Sequence, residues 1–311
     1  MTTAHLPEHA EIPPPALQEV GPGIYAYIQI DGSWGLNNTA FFAAGDGVIA
    51  IDACFTEART RALLGAIASV SDRPVRTLVN THHHGDHTYG NWLFPGAAIV
   101  GHERCREETI AAGVQPLDRF GPVAWGELRL APAFITFEER LNLYAGDTQI
   151  QLIYVGPAHT TNDVVAWVPE RRLLIAGDVL FNGGTPFVIA GSVSGSLAAL
   201  ERLRALGAET IVPGHGAVCG PGVIEDVAAY LRWLQELARD GIAAGRTPLE
   251  TAQTVDLGRF AAWLDGERLA ANLHRAYAEA RGAAPGAPID AAAAFRDMLT
   301  LNGGETLRCF A

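Results

Sequence analysis

Four of the ten histidines in this 311-residue chain fall within six positions, in Thr81-His82-His83-His84-Gly85-Asp86-His87. The segment follows a short apolar run, residues 75–80, that reads as a strand, so the cluster sits on a turn where side chains converge. Imidazole and carboxylate are the donors that zinc takes, and a catalytic zinc keeps one position open for water. Alternate residues on an extended turn point the same way, so His82 and His84 face one ion. Asp86 and His87 face the opposite side and suit a second. His83 alternates away from its neighbours and reads as a packing residue rather than a ligand.

Two ions need more donors than this turn offers, so the chain must bring others to it. It supplies them at loop positions that follow predicted strands: His159 in Gly156-Pro157-Ala158-His159-Thr160, Asp178 in Ala176-Gly177-Asp178, and His215 in Pro213-Gly214-His215-Gly216. Each has a glycine close by, which lets the backbone turn tightly beside an ion. The other histidines read differently. His102 follows a strand and is structural, His274 is a partly buried polar residue in a helical region, and His5 and His9 are solvated. Cys54 reads as a small buried residue. The four cysteines form no CxxC pair, so a zinc ribbon is excluded. There is no lysine, which removes Schiff-base and lysine-base mechanisms. There is also no G-x-S-x-G nucleophile elbow.

Around these donors the pattern is that of a layered fold. Hydrophobic residues make up 49% of the chain and charged residues 18%, enough for a sizeable core. Residues 1–19 read as a polar, proline-rich tail. Strands are expected near 24–28, 38–44 and 48–51, as an antiparallel meander with a turn at Asp31-Gly32, then a helix over 56–70. Further strands fall at 75–80, 98–101, 149–155, 164–168, 173–176 and 210–212, with an amphipathic helix over 197–206. The remainder is helical. Val223, Ile224, Val227, Leu231, Leu234 and Leu237 mark one helix face. Thr247-Pro248-Leu249-Glu250 is a capping box, and Asp290 caps a last helix. The expected organisation is a tail (1–19), a catalytic domain (20–235) and a C-terminal helical extension packed on it (236–311).

In order and content these motifs resemble those of the metallo-β-lactamase-fold hydrolases. The resemblance spans roughly residues 20–235. It implies a four-layer α/β sandwich, αββα, with two zinc ions per chain; iron or manganese suits the same donors. His82, His84 and His159 would hold the first ion, Asp86, His87 and His215 the second, with Asp178 bridging both. Asp52 matches the acidic residue of the family's first motif. The implied chemistry is attack on a carbonyl carbon by a hydroxide made at near-neutral pH, with Asp86 and Asp178 as the catalytic carboxylates.

For substrate binding, Trp34 in a glycine-flanked hairpin tip reads as a flap over an apolar substrate. Residues 181–195, directly after Asp178, read as a substrate loop, with Asn182, Thr185 and Phe187 as its binding residues. The stretches GSWGLNNT, LVNTHHHGDHTYGN, PAHTTNDVVAWVP, GDVLFNGGTPF and PGHGAVCG are similar to the aromatic polyketide thioesterase/cyclase branch, as is the region from Asp256 to Arg281. That similarity implies a thioester substrate and an acyl carrier protein as partner. Docking to an acidic carrier would need a local arginine patch, around Arg171 and Arg172 or Arg202 and Arg204. The alternatives are a β-lactamase or lactonase, an iron-dependent sulfur dioxygenase, and a non-enzymatic binding module on the same fold. The formal net charge of −12 argues against nucleic-acid binding. With no signal peptide or membrane span visible, a cytoplasmic location is expected.

Overall fold

The computed structural model describes residues 14–311; His5, His9 and most of the expected tail lie outside the described residues. The chain begins with strands β1 (Ala16–Gly21), β2 (Ile24–Ile28), β3 (Thr39–Ala44) and β4 (Gly47–Ile51), paired antiparallel as the expected meander. β1 was not foreseen. Its side chains are largely exposed at the sheet edge, so it carries no apolar alternation, and the tail gives way to strand at Ala16. Helix α1 (Glu57–Val70) is capped by the Thr56 hydroxyl, which accepts from the Arg59 amide. It returns the chain to β5 (Val75–Val79), which lies parallel to β4, followed by β6 (Ala98–His102) and β7 (Ile135–Phe137). These seven strands form one sheet in sequence order.

The second sheet has the order β12-β11-β10-β9-β8, from β8 (Arg140–Ala145), β9 (Thr148–Gly156), β10 (Asp163–Val168), β11 (Leu173–Phe181) and β12 (Thr210–His215). Alternation along the strands builds the layers. Ile24, Ala26 and Ile28 of β2 point into the inter-sheet core, where they join Ile150, Leu152, Val164 and Val212 of the second sheet. Tyr27 and Phe41 point outward and pack with Leu63 and Ile67 of α1. The outer face of the second sheet is covered by α4 (Val193–Leu206), α5 (Gly222–Ala243) and α7 (Arg268–Ala280). The result is the expected αββα arrangement.

Helix α5 runs unbroken across the division expected at residue 235, because its apolar face continues through Ala238 and Gly241. The later helices α6 (Pro248–Thr254), α7 and α8 (Ala291–Leu301) share one core cluster with the second sheet. The capping box at Thr247 and the Asp290 cap are both present. A helix α3 (Glu103–Ala112) was not foreseen; His102 caps it by accepting from the Arg104 amide and stacks on Tyr154, a structural role as expected. No described helix is long and apolar enough to cross a membrane.

Candidate metal centre and substrate cavity

β5 runs into the histidine turn, and a single helical turn, α2 (Gly85–Thr88), then carries Asp86 and His87. His159 lies between β9 and β10. Asp178 and His215 lie within strands rather than in loops after them, since β11 continues to Phe181 and β12 to His215. Register shifts around Gly177 in the β11–β12 pairing re-aim the strand locally. Gly214 permits the close approach: a Cβ there would lie 2.0 Å from Asp178 Oδ1.

The donors gather in two groups, His82 with His84 and His159, and Asp86 with His87, Asp178 and His215; within each, the donor atoms lie within 4.8 Å of one another. Asp178 joins the groups. Its Oδ2 is 3.3 Å from His159 Nε2, 3.3 Å from His215 Nε2 and 3.9 Å from His82 Nε2, while Oδ1 is 3.1 Å from His87 Nε2. Four imidazoles are turned by a contact at the far nitrogen. His87 Nδ1 meets Asp52 Oδ2 at 2.8 Å, His82 Nδ1 meets the Thr81 hydroxyl at 3.1 Å, and His215 Nδ1 meets the Gly32 carbonyl at 3.0 Å. His159 Nδ1 meets the Phe187 carbonyl. Each leaves Nε2 aimed inward, the outer-shell arrangement that fixes ligand orientation. His84 is the exception: its Nδ1 faces the cluster, 2.8 Å from His159 Nε2. Asp52 is itself held by the Thr81 amide and hydroxyl, at 2.8 and 2.7 Å.

Burial, with the neighbouring imidazoles adding to it, holds His82 and His84 well below the usual histidine range. Burial likewise takes His159 down to about 4, against the pull of Asp178. A neutral imidazole is the form that ligates a metal. In the second group burial also opposes charge, yet Asp178, Asp52 and Asp86 outweigh it and raise His87 well above its ordinary value. Asp178 and Asp86 together push His215 up to about 9. The negative field that raises these two imidazoles also favours a metal cation, which would take the proton's place. His82 Nε2 is buried with no hydrogen-bond partner among the described groups, and His87 Nε2 and Asp178 Oδ1, 3.1 Å apart, approach each other without hydrogen-bond geometry. Unpaired buried donors and acceptors are costly, and inward-facing imidazole and carboxylate atoms suit metal ions. The residues present fit a dinuclear metal centre.

The family model described as Metallo-beta-lactamase superfamily matches residues 32–215, which include every donor. The chain belongs to the metallo-beta-lactamase superfamily. It is 32% identical over 186 residues to the 2,4-dinitroanisole O-demethylase subunit alpha of Nocardioides sp. (strain JS1661), covering 58% of this chain and 53% of that protein. It is 33% identical over 138 residues to a hydroxyacylglutathione hydrolase of Methylococcus capsulatus, covering 43% of this chain and 45% of that one. The chain thus spans about half the length of these curated relatives. Among solved structures it resembles a metallo-beta-lactamase from Pontibacter korlensis, with a TM-score of 0.60 and 18% identity, covering 70% of this chain and 99% of that one.

In this member of the superfamily the metal donors form the floor of a cavity of about 350 Å³. His84, Asp86, His159, Asp178 and His215 line it at the bottom; Phe55, Phe120, Phe181, Phe187 and Phe295 line its walls. Trp34 lines it too, but not as a flap. Its indole is 9% exposed, donates to Glu267 Oε1 at 2.6 Å, lies under the Arg268 guanidinium at 3.9 Å and packs edge-on against Phe120 and Phe187. A side chain so held is a fixed wall. Of the three residues expected to bind substrate from this loop only Phe187 lines the cavity, where Phe181, Ile189 and Ala190 of the same segment join it. Asn182 turns away, because its side-chain amide donates to the Ala217 carbonyl while its backbone amide donates to the His215 carbonyl. Thr185 is buried, its amide donating to the Leu264 carbonyl and its carbonyl accepting from Arg268.

His83 belongs to neither donor group; it bonds to Asn162 at 2.9 Å and faces Glu108 at 3.4 Å. His274 pairs with Asp297 of α8 at 2.7 Å, and Cys54 is fully buried. Three of the four arginines considered for docking are engaged: Arg172 with Glu209, Arg204 with Glu201 and Glu225, and Arg202 with the Val155 carbonyl. Sequence reasoning missed Asn38, which holds the end of β12 that carries His215 by donating to the Pro213 and Gly216 carbonyls. It also missed Asn272 and Arg275 of α7, which bond to the backbone at Pro186, Val188 and Ile189 and brace the Phe187 segment. The polar residues GLNNT and ANLHR were visible, but no spacing rule ties them to backbone so far away.

Proposed function

We propose that this chain is a zinc-dependent hydrolase of thioesters, acting on aromatic or polyketide-like acyl groups, with an acyl carrier protein as one source of the thioester. The observation that carries the reading is a two-group donor cluster, joined by Asp178, at the floor of a cavity walled by phenylalanines. Zinc bound there lowers the pKa of water towards neutrality and polarises a carbonyl oxygen. The chain's own groups do the rest. Asp178 holds the two donor sets together, and Asp52 fixes the His87 ring that completes the second. Asp86, the more exposed of the two cluster carboxylates, faces the cavity and orients the attacking water. The aromatic walls exclude bulk water and take an apolar acyl group. Relatives named hydroxyacylglutathione hydrolase support an acyl-sulfur substrate.

The test is a substrate panel on gently purified protein: aromatic thioesters, a β-lactam, a lactone and an aryl methyl ether, with elemental analysis alongside. About two zinc ions per chain and a preference for the aromatic thioester are expected. Full activity after metal removal, or turnover of the lactam or ether but not the thioester, would overturn the reading.

A further inference from the structure

Two arginines reach the cavity, and they are employed differently. Arg268 has partners at both terminal nitrogens, Asp265 at 2.7 Å and the Thr185 carbonyl at 2.8 Å. The guanidinium of Arg119 has no carboxylate at ion-pair distance and no hydrogen-bond acceptor among the described residues. Its surroundings are the rings of Phe295, 4.5 Å from the centroid, and Phe120, at 5.5 Å. The remaining deeply placed arginines show that this is not the habit of the fold: Arg59 donates to Gln29 and the Phe310 carbonyl, and Arg275 to the Ile189 and Ala287 carbonyls. Arg119 is also held in place. Its carbonyl accepts from the Leu307 amide at 2.8 Å, Phe120 bridges Leu307, and the Gly121 amide donates to the Leu307 carbonyl.

We propose that Arg119 is a specificity residue that binds a carboxylate on the substrate, at a position other than the reacting carbonyl. This rests on the reading of the cavity as an acyl site, and it narrows the substrate to an aromatic acyl group with a second, anionic end. A half-buried cation beside two aromatic faces is stabilised by them only in part, and an arriving carboxylate supplies the missing counter-charge. The planar guanidinium presents paired N–H donors that match both oxygens of a carboxylate. Burial pulls the Arg119 pKa below the usual guanidinium range, and Tyr89 and Asp86 offset this only in part. The phenylalanines that line the same cavity as Arg119 and the metal donors suit an aromatic body.

The test compares zinc-loaded wild type with Arg119→Gln and Arg119→Lys on two N-acetylcysteamine thioesters of benzoic acid, one with a para carboxylate and one with a para carboxamide. Wild type should favour the carboxylate by about tenfold to a hundredfold in kcat/KM, the range for a charge-assisted hydrogen bond, with the difference in KM. Arg119→Gln should abolish the preference with kcat and zinc content unchanged, and Arg119→Lys should keep part of it. An equal preference in wild type and Arg119→Gln, or none in wild type, overturns the proposal. Binding keeps it separable from the thioester reading. If neither thioester is hydrolysed, terephthalate should still bind wild type more tightly than benzoate does, and Arg119→Gln should lose that gain. If wild type shows no such gain, the proposal fails on its own account.

Discussion

The floor of the cavity and its wall are built on different principles. On the floor, each of four imidazoles has a specific partner at its far nitrogen, and Asp178 reaches both donor groups. On the wall, Phe55 meets Phe120 at 5.6 Å, Phe187 meets Phe295 at 6.2 Å, and Trp34 touches Phe120 and Phe187, ring contacts that many side chains of similar size would satisfy. Hydrogen-bonded donors tolerate little displacement, whereas apolar packing tolerates volume-conserving change. The contrast teaches that the reaction is fixed by the motifs and the choice of substrate by what surrounds them.

Substitutions should separate the two regions. The largest effect is expected for Asp178→Ala, which removes the one carboxylate shared by both groups. Metal content and turnover should both collapse, turnover by more than about a hundredfold, since even losing an outer partner of a ligand costs about tenfold to a hundredfold. Elemental analysis and steady-state rates check this; retention of both metals would break the bridging assignment. Asp52→Ala comes next. It frees His87 Nδ1 and should weaken metal affinity by about tenfold to a hundredfold, read by competition with a chelator.

Asn272→Ala tests the wall from behind. It strands the Val188 amide and the Pro186 carbonyl in a buried setting and should lower stability by about 1–3 kcal/mol. Denaturant unfolding gives the loss. Metal content should hold while KM for aromatic substrates rises; a fall in metal content instead would mean that wall and floor are coupled. The smallest effect is expected for His83→Ala. Bonded to Asn162 and outside both groups, His83 should leave metal content unchanged and the rate within a few-fold. An effect as large as that of Asp178→Ala would place it among the ligands.

The floor was legible in the sequence because its chemistry admits few residue types and they lie at strand ends in fixed order. The helices and strands with clean periodicity were legible too, from the meander of β2–β4 to α5. Two elements hid for opposite reasons. β1 is an edge strand with no buried face, and α3 is masked by Glu103, Arg104, Arg106, Glu107 and Glu108. The wall was misread where nearness along the chain was taken for nearness in space. Asn182 follows Asp178 closely, yet β11 carries it past the cavity to the Ala217 side. Arg119 and Phe295 had no local signal at all. Only the packing of α8 and the Phe120–Leu307 bridge brings them to the site.

That bridge has a bearing on how the molecule comes into being. During synthesis every metal donor has been made once the ribosome has passed His215, and the segment bearing them can begin to fold as it emerges. The strand of wall around Phe120 must wait for Leu307 to dock beside it. A newborn chain therefore has its metal donors before the Phe120 side of the cavity is complete, and premature termination between His215 and Leu307 would leave that side without the segment that pairs with it.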